Sequence, residues 1–263
     1  MNRYLVFLLL FSLITVNVSA QKRTRKPTGK APTRAVAMPL PQPYQETLGN
    51  AKQALVVTTP GWNNVSGTLI RYEKVGDQWR QVGENVPIVV GKSGLGWDAL
   101  IELPASISDP IKKEGDGRSP AGIFPIVEAF GFDPTTPETK LPYRQLTESI
   151  ECVDDPNSRS YNQIVDVKQM SHTDWDSSEK MRTIDVYKLG ATVDYNHLKV
   201  AGAGSCIFLH IWKGSDRGTA GCTAMEERNL QEVVRWLDAS KSPVLIQFPA
   251  PLYKQLKDSW QLP

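Results

Sequence analysis

From Gln53 onward, short runs rich in β-branched and aromatic residues alternate with glycine-bearing turns, and this spacing constrains the fold more than any other feature of the chain. The runs 54–59, 67–72, 79–82 and 87–90 are each too short for an ordinary helix, and Gly76-Asp77 and Gly83-Glu84 punctuate them as tight turns. Further runs at 123–127, 205–211 and 244–248 read as strands of the same kind. Only one stretch carries a clear helical period: over 226–239, Leu230, Val233, Val234 and Leu237 fall on one face. A mainly β domain with a few helices is therefore expected.

Between these elements, residues 133–196 are rich in Asp, Ser, Thr and Tyr with weak periodicity, and a short helix is expected near Ser177 to Met181. The stretch is too long for a simple loop, so it is expected to fold over the sheet as a polar insertion and help shape a binding site. Gly115 and Gly117 flank Asp116 in the manner of a turn that needs positive φ. Because a strand rather than a helix follows, the phosphate-cradling reading of this glycine-rich segment is set aside.

The first twenty residues have the pattern of a secretory leader. Arg3 supplies a basic start, residues 4–18 an apolar run, and Val18-Ser19-Ala20 a small-residue cleavage pattern before Gln21. Ser12, Thr15 and Asn17 interrupt that run, which falls short of the ~20 apolar residues a bilayer span needs. The first cysteine is Cys152, so no lipid-anchor cysteine follows the run. Export to the periplasm or cell envelope as a soluble monomer is expected. Residues 21–50 read as a basic, Pro-rich linker, 51–250 as the folded domain and 251–263 as a tail. Five basic residues, Lys22, Arg23, Arg25, Lys26 and Lys30, sit in the linker, while the whole chain carries a net charge of only +2. A basic folded face of the kind nucleic-acid binding needs is not evident.

Three cysteines is an odd number for an exported chain. Cys152 and Cys206 can pair, leaving Cys222 as a free thiol, and retention of a free thiol in an oxidising compartment is explained by nucleophilic chemistry. Cys222 lies in the most informative segment, Phe208-Leu-His-Ile-Trp-Lys-Gly-Ser-Asp-Arg-Gly-Thr-Ala-Gly-Cys-Thr-Ala-Met225. A histidine ends a strand, a glycine-bearing loop follows, and Gly221-Cys222 comes just before the helical stretch. An imidazole and a helix N-terminus both favour thiolate, Gly221 allows close approach of backbone to substrate, and the N–H groups nearby offer an oxyanion hole. Spacing alone does not choose among Asp185, Asp166, Glu102 or a backbone carbonyl as the group that orients His210. His172 and His197 lack any Cys-x-x-Cys or His-Glu-x-x-His company, so neither a metal site nor a cofactor is expected.

The segment from His210 to Thr219-Ala-Gly-Cys222 resembles the active-site signature of the YkuD-type L,D-transpeptidase domain, in which a histidine precedes a Ser/Thr-His-Gly-Cys run. Gly117-Arg-Ser-Pro-Ala-Gly-Ile-Phe124 is similar to the Thr-Pro-x-Gly-x-Phe element of the same domain. Ala220 stands where that family has histidine, and Ala224 where it often has arginine. The resemblance implies a β-sandwich-like fold, a cysteine acyl-enzyme, peptidoglycan stem peptides as substrate, and a part in wall biogenesis and cell shape. On this reading His210, Cys222 and Gly221 are catalytic, and Thr219, Lys213, Arg217 and His172 bind substrate. If water replaces the acceptor amine, the same site is an L,D-carboxypeptidase or amidase. Ala220 and Ala224 would also suit a wall-binding module with a dead site. A papain-like endopeptidase is excluded by order, since there the cysteine precedes the histidine.

Overall fold

The computed structural model describes Met1 and residues 38–135 and 138–263; the expected leader and most of the basic linker lie outside the described residues. The elements are α1 Gln42–Asn50, β1 Gln53–Thr59, β2 Ser66–Val75, β3 Gln78–Val89, β4 Leu95–Trp97, β5 Ser119–Gly131, β6 Tyr143–Gln145, β7 Ile150–Val153, β8 Ile164–Asp166, β9 Ser178–Lys180, β10 Leu189–Val193, β11 Phe208–Ile211, β12 Thr223–Met225, α2 Glu227–Trp236, β13 Val244–Pro249 and α3 Ala250–Leu256. β1, β2, β3, β5, β11, β13 and α2 follow the runs read from the sequence. The two expected runs 79–82 and 87–90 are parts of one strand, β3, whose hairpin with β2 turns at Gly76 with φ +60°.

Among the described residues, the main sheet has ten strands in the order β10-β11-β12-β3-β2-β1-β13-β5-β4, with β6 added to β5. The mainly β, sandwich-like architecture holds, and β5 joins its layers. Its first half pairs with β13 (Gly122 to Pro125) and its second half with β10 (Ile126 to Gly131), so the path of strands closes on itself. The helix α2 presents Leu230, Val233 and Val234 as its buried face, with Leu237 just beyond its end also buried, as the i, i+3, i+4, i+7 spacing requires.

Three expectations are corrected. The linker does not extend to residue 50. Tyr44 and Leu48, four apart on one face of α1, are buried, and the Tyr44 hydroxyl donates to Asp98 at 2.9 Å. The tail is not loose either: Trp260 and Leu262 are buried, and the Trp260 indole N–H donates to the Met38 carbonyl at 2.9 Å, tying the last turn to the chain ahead of α1. Finally, the helix expected near Ser177 to Met181 is absent. Ser178–Lys180 instead pairs with β7 as a strand, and a single 3-10 turn, Met181–Thr183, follows. A five-residue stretch cannot offset helix nucleation by itself, so an available strand partner decides its form.

The polar insertion contains a separate three-stranded sheet, β8-β7-β9. A disulfide between Cys152 on β7 and Cys206, just ahead of β11, fixes that sheet to the central strand pair.

Candidate active site

The site is built on β11 and β12, which pair in parallel with His210 beside Ala224 and Leu209 beside Thr223. Alternation along β11 divides its side chains between two apolar clusters. Ile207 and Leu209 enter the main core, whereas Phe208 packs in a second cluster with Cys206, Cys222 and Tyr187. The strand is shorter than the run 205–211 suggested, because Cys206 has φ +54°, outside the extended region.

Cys222 is the free cysteine, and it is buried. Its thiol donates to the Cys206 carbonyl at 3.4 Å, and its sulfur accepts the Phe208 N–H at 3.3 Å. The backbone around it is held just as closely: its carbonyl accepts Ser119 Oγ at 2.8 Å and Thr219 Oγ1 at 2.6 Å. Ser119 in turn accepts the Gly91 N–H at 2.8 Å, so the Gly-Arg-Ser-Pro-Ala-Gly element serves to clamp the cysteine's backbone. Gly115 and Gly117, at φ +70° and +69°, form the turn read from the sequence, and Asp116 between them pairs with the buried Lys112 at 2.8 Å.

Two sequence expectations about this turn change. Cys222 is separated from α2 by β12, so the helix N-terminus is not at the thiol. Gly221 faces protein rather than open space: a Cβ there would lie 3.2 Å from the Arg118 carbonyl oxygen and 3.3 Å from Ile207 Cδ1. Its N–H donates to Thr219 Oγ1 at 3.1 Å and is thereby occupied.

His210 is buried, and its Nδ1 lies 2.7 Å from the Ile211 carbonyl oxygen. A carbonyl only accepts, so Nδ1 carries the hydrogen and Nε2 is the basic nitrogen. This backbone oxygen, and not Asp185, Asp166 or Glu102, orients the ring. Tyr187 packs edge-on against both His210 and Phe208, with ring centroids 5.4 Å apart in each case. Its hydroxyl donates to Glu179 at 2.7 Å.

The electrostatics follow from burial. Loss of water pushes the Cys222 thiol up to about 12, with Glu179 adding to the effect and the Phe208 N–H and Lys112 opposing it. Burial likewise pushes His210 down to about 4, against its bond to Ile211 and aided by Lys213. Thiol and imidazole are thus both neutral at pH 7.

A cavity of about 220 Å³ adjoins His210. Lys213, Arg217, Thr219 and Ala220 line it from the loop, and Glu179, Ile184, Val186 and Tyr187 from the insertion. The structure therefore brings His210, Lys213, Arg217 and Thr219 together. Cys222 and Gly221 do not line this cavity, and neither does His172, which is exposed and has Nδ1 3.2 Å from Ser171 Oγ. Ala220 lines the cavity, whereas Ala224 is fully buried within the ladder beside His210. Of the two departures from the family signature, only the one at 220 thus opens onto the cavity. Sequence reading missed Glu179 and Tyr187, which sit in a stretch with no periodicity and reach the site only through the insertion's fold.

Two solved structures are similar in overall path. Bd1075 from Bdellovibrio bacteriovorus matches with 12% identity and a TM-score of 0.39, covering 85% of this chain and 58% of the other. The helical cell shape determining protein Pgp2 from Campylobacter jejuni matches with 16% identity and a TM-score of 0.36, covering 75% of this chain and 48% of the other. The chain thus spans about half the length of these relatives. No curated protein matches the chain. The model of the L,D-transpeptidase catalytic domain, YkuD, matches residues 64–246, which takes in most of the sheet, the insertion and both catalytic candidates, and the chain belongs to this family.

Proposed function

We propose that the protein is a cysteine-dependent acyl transferase acting on the stem peptides of peptidoglycan, with Cys222 as nucleophile and His210 as its base. The observation that carries this reading is that Cys222 alone of the three cysteines is a free thiol, just ahead of the strand that pairs with β11, whose His210 has the tautomer that leaves Nε2 basic. The sulfur attacks the carbonyl joining an L-centre to a D-residue, and the thiol proton passes to His210 Nε2 as the C–S bond forms. Collapse of the intermediate breaks the C–N bond, His210 returns the proton to the departing amine, and a thioester remains. An acceptor amine then attacks the thioester and restores the thiol. Because both groups are neutral at rest, proton transfer accompanies attack rather than preceding it. With the Gly221 N–H engaged by Thr219, the Cys222 N–H is the donor best suited to the oxyanion. The substrate class puts the place of work in the cell envelope, in keeping with the leader-like start of the chain.

A second reading, hydrolysis of the same thioester by water, shares every step up to the thioester and differs only in the acceptor. Incubation with a tetrapeptide-bearing muropeptide or a carbapenem, followed by weighing the protein, tests the common step: an adduct on Cys222 is expected, and its absence would favour a wall-binding module. Product masses then separate the two activities, a cross-linked dimer marking transfer and a tripeptide marking hydrolysis.

A further inference from the structure

Lys112 is the one lysine or arginine among the described residues that is buried, with 3% of its surface exposed. Its ammonium group donates to Asp116 Oδ1 at 2.8 Å and to the Lys113 carbonyl at 2.5 Å. Asp116 is itself committed to the turn it sits in, accepting the Lys113 and Arg118 N–H groups at 2.7 and 2.8 Å. The far end of the lysine runs past two glycines: a Cβ at Gly204 would lie 3.1 Å from Lys112 Cε and 3.2 Å from Nζ, and one at Gly221 3.9 Å from Cε. Gly221 precedes Cys222, and Gly204 lies two residues ahead of Cys206, whose carbonyl receives the Cys222 thiol. Burying an ammonium group is costly, and a brace for this turn could be made at the surface, so the depth of Lys112 calls for a reason.

We propose that Lys112 is a positioning residue for the acyl-transfer step, its ammonium group held beside the turn that carries Cys222 so as to favour negative charge on the attacking sulfur. The Gly115-Asp116-Gly117 turn is then the mount for that charge. The need is set by Glu179, which opposes thiolate at Cys222, whereas Lys112 and the Phe208 N–H favour it. His210 is neutral and adds no charge of its own. Asp116 compensates the ammonium group only in part, because its side chain is 19% exposed and screened by water, against 3% for Lys112. The inference rests on the acyl-transfer reading for the use of this charge, but the action of the charge on the thiol requires no turnover.

The test is alkylation of Cys222, the free thiol, in the intact protein with neutral iodoacetamide and anionic iodoacetate at low salt. Lys112→Met keeps the length of the side chain without its charge. It is expected to slow iodoacetamide about threefold or more, since loss of a nearby cation lowers the thiolate fraction. A lysine that only braced the turn would, on removal, uncover the sulfur and speed the reaction. The ratio of the iodoacetate rate to the iodoacetamide rate is a second readout, free of thiolate fraction and exposure because both reagents meet the same sulfur. It is expected to fall about twofold or more in Lys112→Met and to rise in Asp116→Asn, which keeps the ammonium group and removes the charge of its partner. The Asn variant carries the test by itself if the Met variant does not fold. Unchanged or faster iodoacetamide labelling of folded Lys112→Met, or a rate ratio unmoved in either folded variant, would overturn the assignment. Acylation by a carbapenem is scored separately, so its failure with the alkylation pattern intact would count against the acyl-transfer reading alone.

Discussion

His210 of β11, with the loop that follows it, and the polar insertion line one cavity, and they are held in place by different means. His210 lies beside Ala224 in a parallel ladder, and Cys222, twelve residues on in sequence, comes just ahead of that ladder's second strand. Glu179 and Tyr187 come from a strand of three residues and a 3-10 turn, elements with little stability of their own. What holds them is distant: the pairing of β9 with β7, and the disulfide from β7 to Cys206, whose carbonyl also receives the Cys222 thiol. Cys222 thus sits just ahead of one strand of the main sheet, and the insertion is cross-linked just ahead of the neighbouring strand.

The sharpest contrast is expected from Cys222→Ala. The small side chain fits the buried position, so turnover and adduct formation should vanish while the cooperative unfolding transition persists. Turnover by the folded variant would remove the ladder from the chemistry altogether. His210→Ala is expected to lower turnover by about 10²- to 10⁴-fold, the usual worth of a positioned base. In the wild type, alkylation of the thiol should keep rising with pH toward about 12, since burial holds the thiol protonated. A plateau near pH 8 would show that the insertion does not seal the sulfur from water.

Removing the cross-link by Cys152→Ser with Cys206→Ser is expected to cost about 2–5 kcal/mol of stability, read by denaturant titration. It should also speed alkylation of Cys222, because the insertion then covers the sulfur less firmly. Unchanged alkylation would mean that β7–β9 pairing alone holds the wall.

The two regions should also titrate in opposite senses. His210 falls from 6.5 to about 4 on folding, so its contribution is present above pH 6.5 and is lost as pH drops toward 4. Glu179 rises from 4.5 to about 7, so its contribution is present below pH 4.5 and is lost as pH climbs toward 7. The slopes oppose each other over the shared window. Glu179→Gln is expected to make stability increase more steeply with pH there, and an unaltered slope would place Glu179 in contact with bulk water. The smallest effect is expected from Ser119→Ala, which removes one bond to the Cys222 carbonyl and one from the Gly91 N–H. A cost of about 1–3 kcal/mol should appear in unfolding, with the loss in turnover confined to a comparable energy.

The same contrast explains what was legible in the chain. Runs of strand-forming residues with glycine turns gave β1, β2, β3, β5, β11 and β13, the i, i+3, i+4, i+7 spacing gave α2, and residue order gave His210 and Cys222 as candidates, because each of these signals is local. The ends of the domain were misread for want of such a signal. Tyr44 and Trp260 are isolated aromatics whose burial depends on Asp98 and Met38, far away in sequence.

Sequence alone thus determined the mainly β class and the resemblance to the family, and it singled out Cys222 and His210 as candidates, since these rest on neighbours within one strand, one turn or one helix. Tertiary structure decided the rest. The choice of the Ile211 carbonyl over three carboxylates, the clamp of Ser119 on Cys222 and the arrival of Glu179 and Tyr187 at the cavity all depend on contacts across the fold. Such contacts are selected by chain closure and burial, which no local pattern of residues records.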